Sequence, residues 1–173
     1  MCVDPQARFE ELYRAHADRV HAYALRRTSA SVADDVVADV FLVAWRRLRE
    51  VPEDPLPWLL GVARRVLANR RRGDSRAAAL HVRLAGAHRS DQPGAPQDIA
   101  GEHVLSALAG LGERDRELLM LIAWEGLDQA EVAATLGVRR GTLAVRLHRA
   151  RQRFADALAA QDADVTTQME VRR

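Results

Sequence analysis

The sequence contains no lysine: all 26 of its basic residues are arginine. It has a single cysteine, Cys2, so neither an internal disulfide nor a cysteine-based zinc site can form. Chain ends fray, and Cys2 reads as a terminal thiol. Aromatic residues make up only 5%, and Ala, Leu and Val dominate the apolar remainder, which favours helices packed on helices over sheets. No apolar run approaches the roughly 18 residues that a membrane-spanning helix needs. The N-terminus, MCVDPQARFEELY, lacks the basic flank and apolar stretch of a secretory signal. These absences predict a cytoplasmic chain without membrane insertion. Enzyme motifs are missing too: there is no HExxH, no phosphate-cradling glycine loop and no nucleophile elbow. His16 and His21 stand five apart and share a helix face poorly, while His81, His88, His103 and His148 are scattered without metal-ligand spacing. The expectation is a protein that is not an enzyme and uses no cofactor.

What is present is patchy charge. The formal net charge is +2, but residues 62–76 carry six Arg against one Asp, and residues 139–153 carry six Arg and no acid. Residues 113–131 carry six acids and two Arg. Guanidinium forks suit phosphates and base edges; a codon bias gives the same all-arginine composition. The distribution of the arginines is the more informative feature.

The periodicity predicts an all-α chain of two small helical domains joined by a flexible linker. Asp4-Pro5 reads as a helix start, and Phe9, Leu12, His16, Val20 and Tyr23 carry that helix to about Arg27. Ser31 reads as the cap of a second helix, with Val36, Val40, Phe41, Ala44 and Leu48 on one stripe. Prolines 52, 55 and 57 forbid continuous helix and predict a stiff, exposed loop from Glu50 to Pro57. Pro57 suits the first turn of a third helix, which is predicted to end in Arg70-Arg71-Arg72-Gly73. Residues 1–73 then form the first domain, 74–101 the linker, 102–160 the second domain and 161–173 a loose tail. In the second domain, Asp128 to Glu131 is close to a capping box, and Gly137 separates a short helix from a longer one.

A short helix, a tight turn at Leu136-Gly137-Val138 and a longer helix make the helix-turn-helix pattern. Val132, Leu136, Leu143, Leu147 and Phe154 are placed for a shared core, which leaves Arg139, Arg140, Thr142, Arg146, Arg149 and Arg153 on other faces. Six cations without a compensating acid repel one another at helical spacing unless a polyanion meets them. In the first domain, Asp35 and Asp39 lie four apart on the second helix, with no base paired to them at that spacing. That face reads equally as a dock for a basic partner protein or as solvated surface. Trp58, followed by Arg64, Arg65, Asn69, Arg70, Arg71 and Arg72, combines an aromatic with cations, as opened DNA requires; Trp58 by itself also reads as a core residue.

Three stretches, FEELYRAHADRVHAYALRRT, ADDVVADVFLVAWRRL and PWLLGVARRVLANRRR, resemble region two of a bacterial sigma factor. The stretch from LSALAGLGERDRELLMLIAWEGL through to ARQRF resembles region four. The pairing across a short linker is similar to the extracytoplasmic-function group. The resemblance implies docking on core RNA polymerase through Asp35, Asp39 and Leu42, and recognition and melting of the minus-ten element by Trp58, Arg64, Arg65, Asn69 and Arg72. It implies recognition of the minus-thirty-five element by Arg139, Arg140, Thr142, Ala144, Arg146, Arg149 and Arg153. Promoter DNA, core polymerase and an anti-sigma factor are the implied partners.

The chain departs from the family pattern at several positions. Ala38 stands where Gln is usual, Arg65 where Asn is usual, Gly112 where Pro is usual, and Arg139 where a Ser-like cap is usual. Ala144-Val145 replaces a Lys-Ser pair, so apolar contacts are expected to replace polar ones there. The alternative function is a stand-alone helix-turn-helix regulator, which would bind promoters tightly without polymerase. A pure protein-interaction module would leave the arginine-rich last helix unexplained.

Overall fold

The computed structural model describes the backbone of residues 4–82 and 99–171 and the side chains of residues 4–73 and 103–161. The chain divides into two compact units, Met1–Pro93 and Gly94–Arg173. All regular structure among the described residues is helical, as the composition predicts.

Unit one holds α1 (Pro5–Leu25), α2 (Ala30–Arg46), a 3-10 turn (Leu48–Glu50) and α3 (Leu56–Val82). Asp4 caps α1 by accepting a hydrogen bond from the Gln6 N–H at 3.1 Å, and Pro5 fills the first turn, where its missing N–H costs nothing. The N-cap position of α2 falls on Ser29, not the expected Ser31, and the Ser29 side chain makes no capping hydrogen bond. Ser29 takes extended backbone angles, so the chain already turns helical at Ala30 and Ser31 falls inside the first turn.

The three helices pack on one another pairwise. Val20 and Tyr23 of α1, Val36 and Val40 of α2, and Leu59 and Ala63 of α3 are fully buried between them. Burying a Val or Leu side chain stabilises by about 1.5–3 kcal/mol, against about 0–1 kcal/mol for an exposed ion pair. The apolar seam therefore sets the helix arrangement, and the charges adapt to it.

The proline loop is hooked into the core at both ends, where the sequence predicts an exposed stretch throughout. Val51, Leu56 and Pro57 are buried, Pro55 is half-buried, and Glu50 and Pro52 to Asp54 are exposed. Arg8 of α1 donates to the Val51 carbonyl at 3.0 Å. The Leu59 N–H donates to the Pro55 carbonyl at 2.9 Å, which closes the first turn of α3 with Pro57 inside it.

α3 does not stop at Gly73. It continues to Val82, and Gly73 lacks the positive φ of a glycine helix cap. An interior Gly costs about 1 kcal/mol relative to Ala, and the run Ala77-Ala78-Ala79-Leu80 of strong helix formers favours continuation. Of the predicted linker 74–101, the first residues belong to α3 and the last to α4; residues 83–98 lie outside the described residues, as does Cys2.

Unit two holds α4 (Ile99–Gly110), α5 (Glu113–Ala123), α6 (Gln129–Leu136) and α7 (Arg140–Val171). α7 is its centrepiece and packs on the other three. The predicted loose tail is helical as far as Val171. The reason is local: no Gly or Pro occurs after Gly141, and the Ala-rich stretch ADALAAQDA favours helix.

One arginine closes a helix end that the sequence leaves uncapped. Arg116 of α5 donates to the carbonyls of Leu108 at 2.8 Å and Leu111 at 2.9 Å, and also to that of Ala109. These carbonyls lie at and just past the C-terminus of α4, where helical acceptors lack i+4 partners; that of Leu108 also accepts from the Leu111 N–H at 3.2 Å. An Arg116→Ala chain is expected to lose about 1–2 kcal/mol of unit-two stability, from charge-assisted hydrogen bonds left unmade. Urea unfolding of the full chain followed by helical circular dichroism checks this.

Candidate polymerase-docking and nucleic-acid interfaces

The apolar seam of unit one fixes what α3 shows to solvent. At 3.6 residues per turn, Leu59, Ala63, Leu67 and Arg70 share the side turned to α1 and α2. Trp58, Arg65, Asn69 and Arg72 share another side, and Arg64 stands apart from both. Arg64, Arg65, Asn69 and Arg72 are exposed, and Trp58 is half-buried. Arg72 donates to the Asn69 side-chain oxygen at 2.6 Å, so these two residues already form a joined polar edge. Arg64 and Arg65 make no ion pair among the described residues.

Trp58 combines both readings that its sequence allows. Part of the ring is buried, and the Arg47 guanidinium stands 6.0 Å from its centroid, at the edge of cation–π range. Arg47 is held in turn by Glu50, whose carboxylate accepts from its Nε at 3.1 Å. That hydrogen bond raises the Arg47 pKa and lowers that of Glu50. Arg47 is thus a neighbour of Trp58 that spacing does not reveal, because the proline loop brings the two together.

On α2, Asp35, Asp39 and Leu42 all reach the surface, and Leu42 is 47% exposed. Trp45 and Tyr13 are equally exposed, so an apolar edge continues beyond Leu42. Phe9 packs edge-to-face on Trp45 at 5.1 Å, and Tyr13 on Phe41 at 4.7 Å. The acids are not unpaired. Arg70 reaches across from α3 and contacts Asp35 at 3.1 Å and Asp39 at 2.7 Å. The two carboxylates raise the Arg70 pKa, Asp39 most strongly. Within-helix spacing cannot show this pair, although an arginine in register with Ala63 and Leu67 is a signal that it faces another helix.

In unit two, the turn between α6 and α7 is tightly specified. The Asp128 side chain accepts from the Glu131 N–H at 2.8 Å, and the Glu131 side chain accepts from the Asp128 N–H at 2.6 Å. This is a reciprocal capping box. Gly137 ends α6 with φ 66° and ψ 38°, a left-handed conformation that disfavours other residues. Thr135 is buried, with its hydroxyl donating to the Glu131 carbonyl. Leu143, Leu147 and Ala150 then point inward from α7, while Phe154 and Leu136 are half-buried.

That inward stripe leaves Arg139, Arg140, Thr142, Ala144, Arg146, Arg149 and Arg153 exposed. Among them, Arg153 is engaged with Asp115 of α5 at 2.5 Å. Arg139, Arg140, Arg146 and Arg149 have no ion-pair partner among the described residues. Elsewhere, His21 lies 3.1 Å from Asp34, and burial lowers the pKa of His16. No group of three His, Cys, Asp or Glu is placed to hold a metal ion among the described residues. None of the helices is long and apolar enough, within those residues, to cross a membrane.

Two all-helical units, the second carrying a helix-turn-helix, define the class, and comparison with known proteins gives the family. The profile of Sigma-70 region 2 matches residues 12–77, and that of Sigma-70, region 4 matches residues 102–154. The chain is 31% identical to the ECF RNA polymerase sigma factor SigL of Mycobacterium tuberculosis, over 79% of this chain and 81% of SigL. It is 30% identical to the ECF RNA polymerase sigma factor SigE of Mycolicibacterium smegmatis, over 90% of this chain but only 63% of SigE. Among solved structures, CnrH in complex with the cytosolic domain of CnrY is similar, with a TM-score of 0.58 at 28% identity and coverage of 88% of each chain. The chain belongs to the sigma-70 family of RNA polymerase sigma factors, in its extracytoplasmic-function group.

The capping box makes a direct prediction for this site. Asp128→Ala is expected to lower unit-two stability by about 1 kcal/mol, the usual cost of an N-cap. The unfolding midpoint measures it.

Proposed function

We propose that this sigma factor docks core RNA polymerase through the α2 face of Asp35, Asp39 and Leu42. The minus-ten element is read and helped open by the proline loop and the outer side of α3, with Trp58 against an unstacked base and Arg64, Arg65, Asn69 and Arg72 along the strand. The minus-thirty-five element meets α7 and the residue before it: Arg140, Thr142 and Ala144 face base edges while Arg139, Arg146 and Arg149 hold phosphates. The protein acts in the cytoplasm, as an initiation factor and not an enzyme, and opens DNA with binding energy alone. The observation that carries this reading is that Arg140, Arg146 and Arg149 of α7 are exposed without an acid partner among the described residues, on faces that the inward turn of Leu143, Leu147 and Ala150 leaves to solvent.

An anti-sigma factor is the expected regulator. The similarity to CnrH, whose structure was solved with the cytosolic domain of CnrY, supports that expectation.

Run-off transcription with purified core RNA polymerase on a genomic fragment library tests the function. Discrete start sites absent from core enzyme alone are expected. A stand-alone regulator would instead protect promoter DNA tightly without core enzyme and add no start sites.

The ion pair of Arg153 separates it from its neighbours on α7. Arg149→Ala should lower the slope of log affinity against log salt for holoenzyme–promoter binding by about 0.9, the value of one phosphate contact. Arg153→Ala should change that slope by less than about 0.5, because its guanidinium is already engaged by Asp115. Equal losses in the two chains would place Arg153 on the DNA backbone as well.

A further inference from the structure

Asp35 and Asp39 are the acids proposed to receive core polymerase, yet both are occupied from within the chain. Arg70 bridges them at 3.1 and 2.7 Å. Its side chain is 33% exposed, while those of Asp35 and Asp39 are 64% and 46% exposed. The pair thus sits at the rim of the α2–α3 seam, open to water and to an incoming group. The bridge owes its position to Arg70 lying in register with Ala63 and Leu67, one turn beyond the last buried residue of the α3 stripe.

Three facts about this bridge point the same way. One guanidinium with five donors can serve two carboxylates at once. A cation presented by a partner would meet acids already half-neutralised, which weakens its attraction. Arg70 also lies in the run Asn69 to Arg72, of which Asn69 and Arg72 are proposed to follow promoter DNA, and it stands about 100° round α3 from Asn69.

We propose that Arg70 is an internal competitor for the polymerase-docking acids: a basic residue of core polymerase displaces it from Asp35 and Asp39, and the freed guanidinium joins the DNA-facing end of α3. The inference rests on the docking and minus-ten roles proposed above. Docking on α2 and DNA engagement by α3 are then linked through one side chain. By linkage, promoter DNA that holds Arg70 also strengthens docking by the same factor. The free protein keeps one of its cations neutralised, and its hold on DNA is weaker for it.

The test compares the unaltered full chain with Arg70→Gln, which removes the charge and retains a polar side chain. Affinity for purified core RNA polymerase is expected to rise about three- to tenfold in Arg70→Gln, which corresponds to about 0.7–1.4 kcal/mol. The salt slope of promoter binding by the assembled holoenzyme should fall by about 0.9, the value of one lost phosphate contact. Arg70→Lys retains the charge and should gain little affinity for core. Unchanged or weaker core binding by Arg70→Gln, or an equal gain in Arg70→Lys, overturns the competitor. An unchanged salt slope overturns the delivery of Arg70 to DNA. If the unaltered chain itself fails to bind core enzyme, the proposed function fails before this inference is reached. Both acids remain hydrated at the surface once Arg70 is replaced, so the variants should fold; matched helical melting curves verify that.

Discussion

The apolar seam between α3 and the α1–α2 pair is the constraint on which unit one depends. Leu59, Ala63 and Leu67 have one way to be buried, and that choice fixes the rotation of α3. Rotation in turn decides which polar residues meet solvent and which meet α2. Trp58, Arg65, Asn69 and Arg72 are turned outward as a consequence, and Arg70 is turned toward Asp35 and Asp39. Neither outcome needs the charges to direct folding. Exposed ion pairs are too weak to compete with several fully buried aliphatic side chains.

Unit two follows the same logic around α7, with a firmer turn. The capping box at Asp128 and Glu131 and the left-handed Gly137 set the angle between α6 and α7, and the Leu143–Leu147–Ala150 stripe sets the rotation of α7. Arginine then plays two distinct parts in the chain. Arg8, Arg116 and Arg153 spend their donors on the fold, at the Val51 carbonyl, the end of α4 and Asp115. Arg64, Arg65, Arg139, Arg140, Arg146 and Arg149 have no acid to answer them among the described residues. A count of arginines cannot make that division. It depends on which arginines fall at the end of a helix or in register with a core stripe.

Much of the architecture was legible because local chemistry specified it. Asp4-Pro5, the three prolines, the Asp128–Glu131 spacing and Gly137 each act within a few residues, and each operates in the structure as its chemistry requires. Legibility failed where a local signal competed with its context. Gly73 is a stop signal only if the following residues resist helix, and the alanines after it do not. The tail beyond Ala160 lacks an apolar period, but helix there needs only good helix formers and no breaker. Ser29 and Ser31 are both residue types that suit an N-cap, and the backbone turns helical after the earlier one without a side-chain capping bond. The site was legible as residue types on faces. The pairing of Arg70 with the two acids was not, because a separation of 31 or 35 residues has no periodicity to read, and that of Arg47 with Trp58 was not, because the irregular loop between them has none.

These pairings change the physical character of the proposed docking face. An acidic surface would attract any cation that approached, and would do so whether or not DNA was present. With Arg70 in place the same surface carries one net negative charge from two carboxylates, so nonspecific attraction is reduced. A partner must present its cation in a geometry good enough to take the place of a guanidinium already in contact. Specificity of this kind comes from the cost of displacing an internal occupant, and it operates only because the occupant is weakly held. A deeply buried Arg70 would be locked by the desolvation penalty of leaving two carboxylates unpaired. At the rim of the seam water can replace each contact as it breaks, which is what the proposed exchange requires.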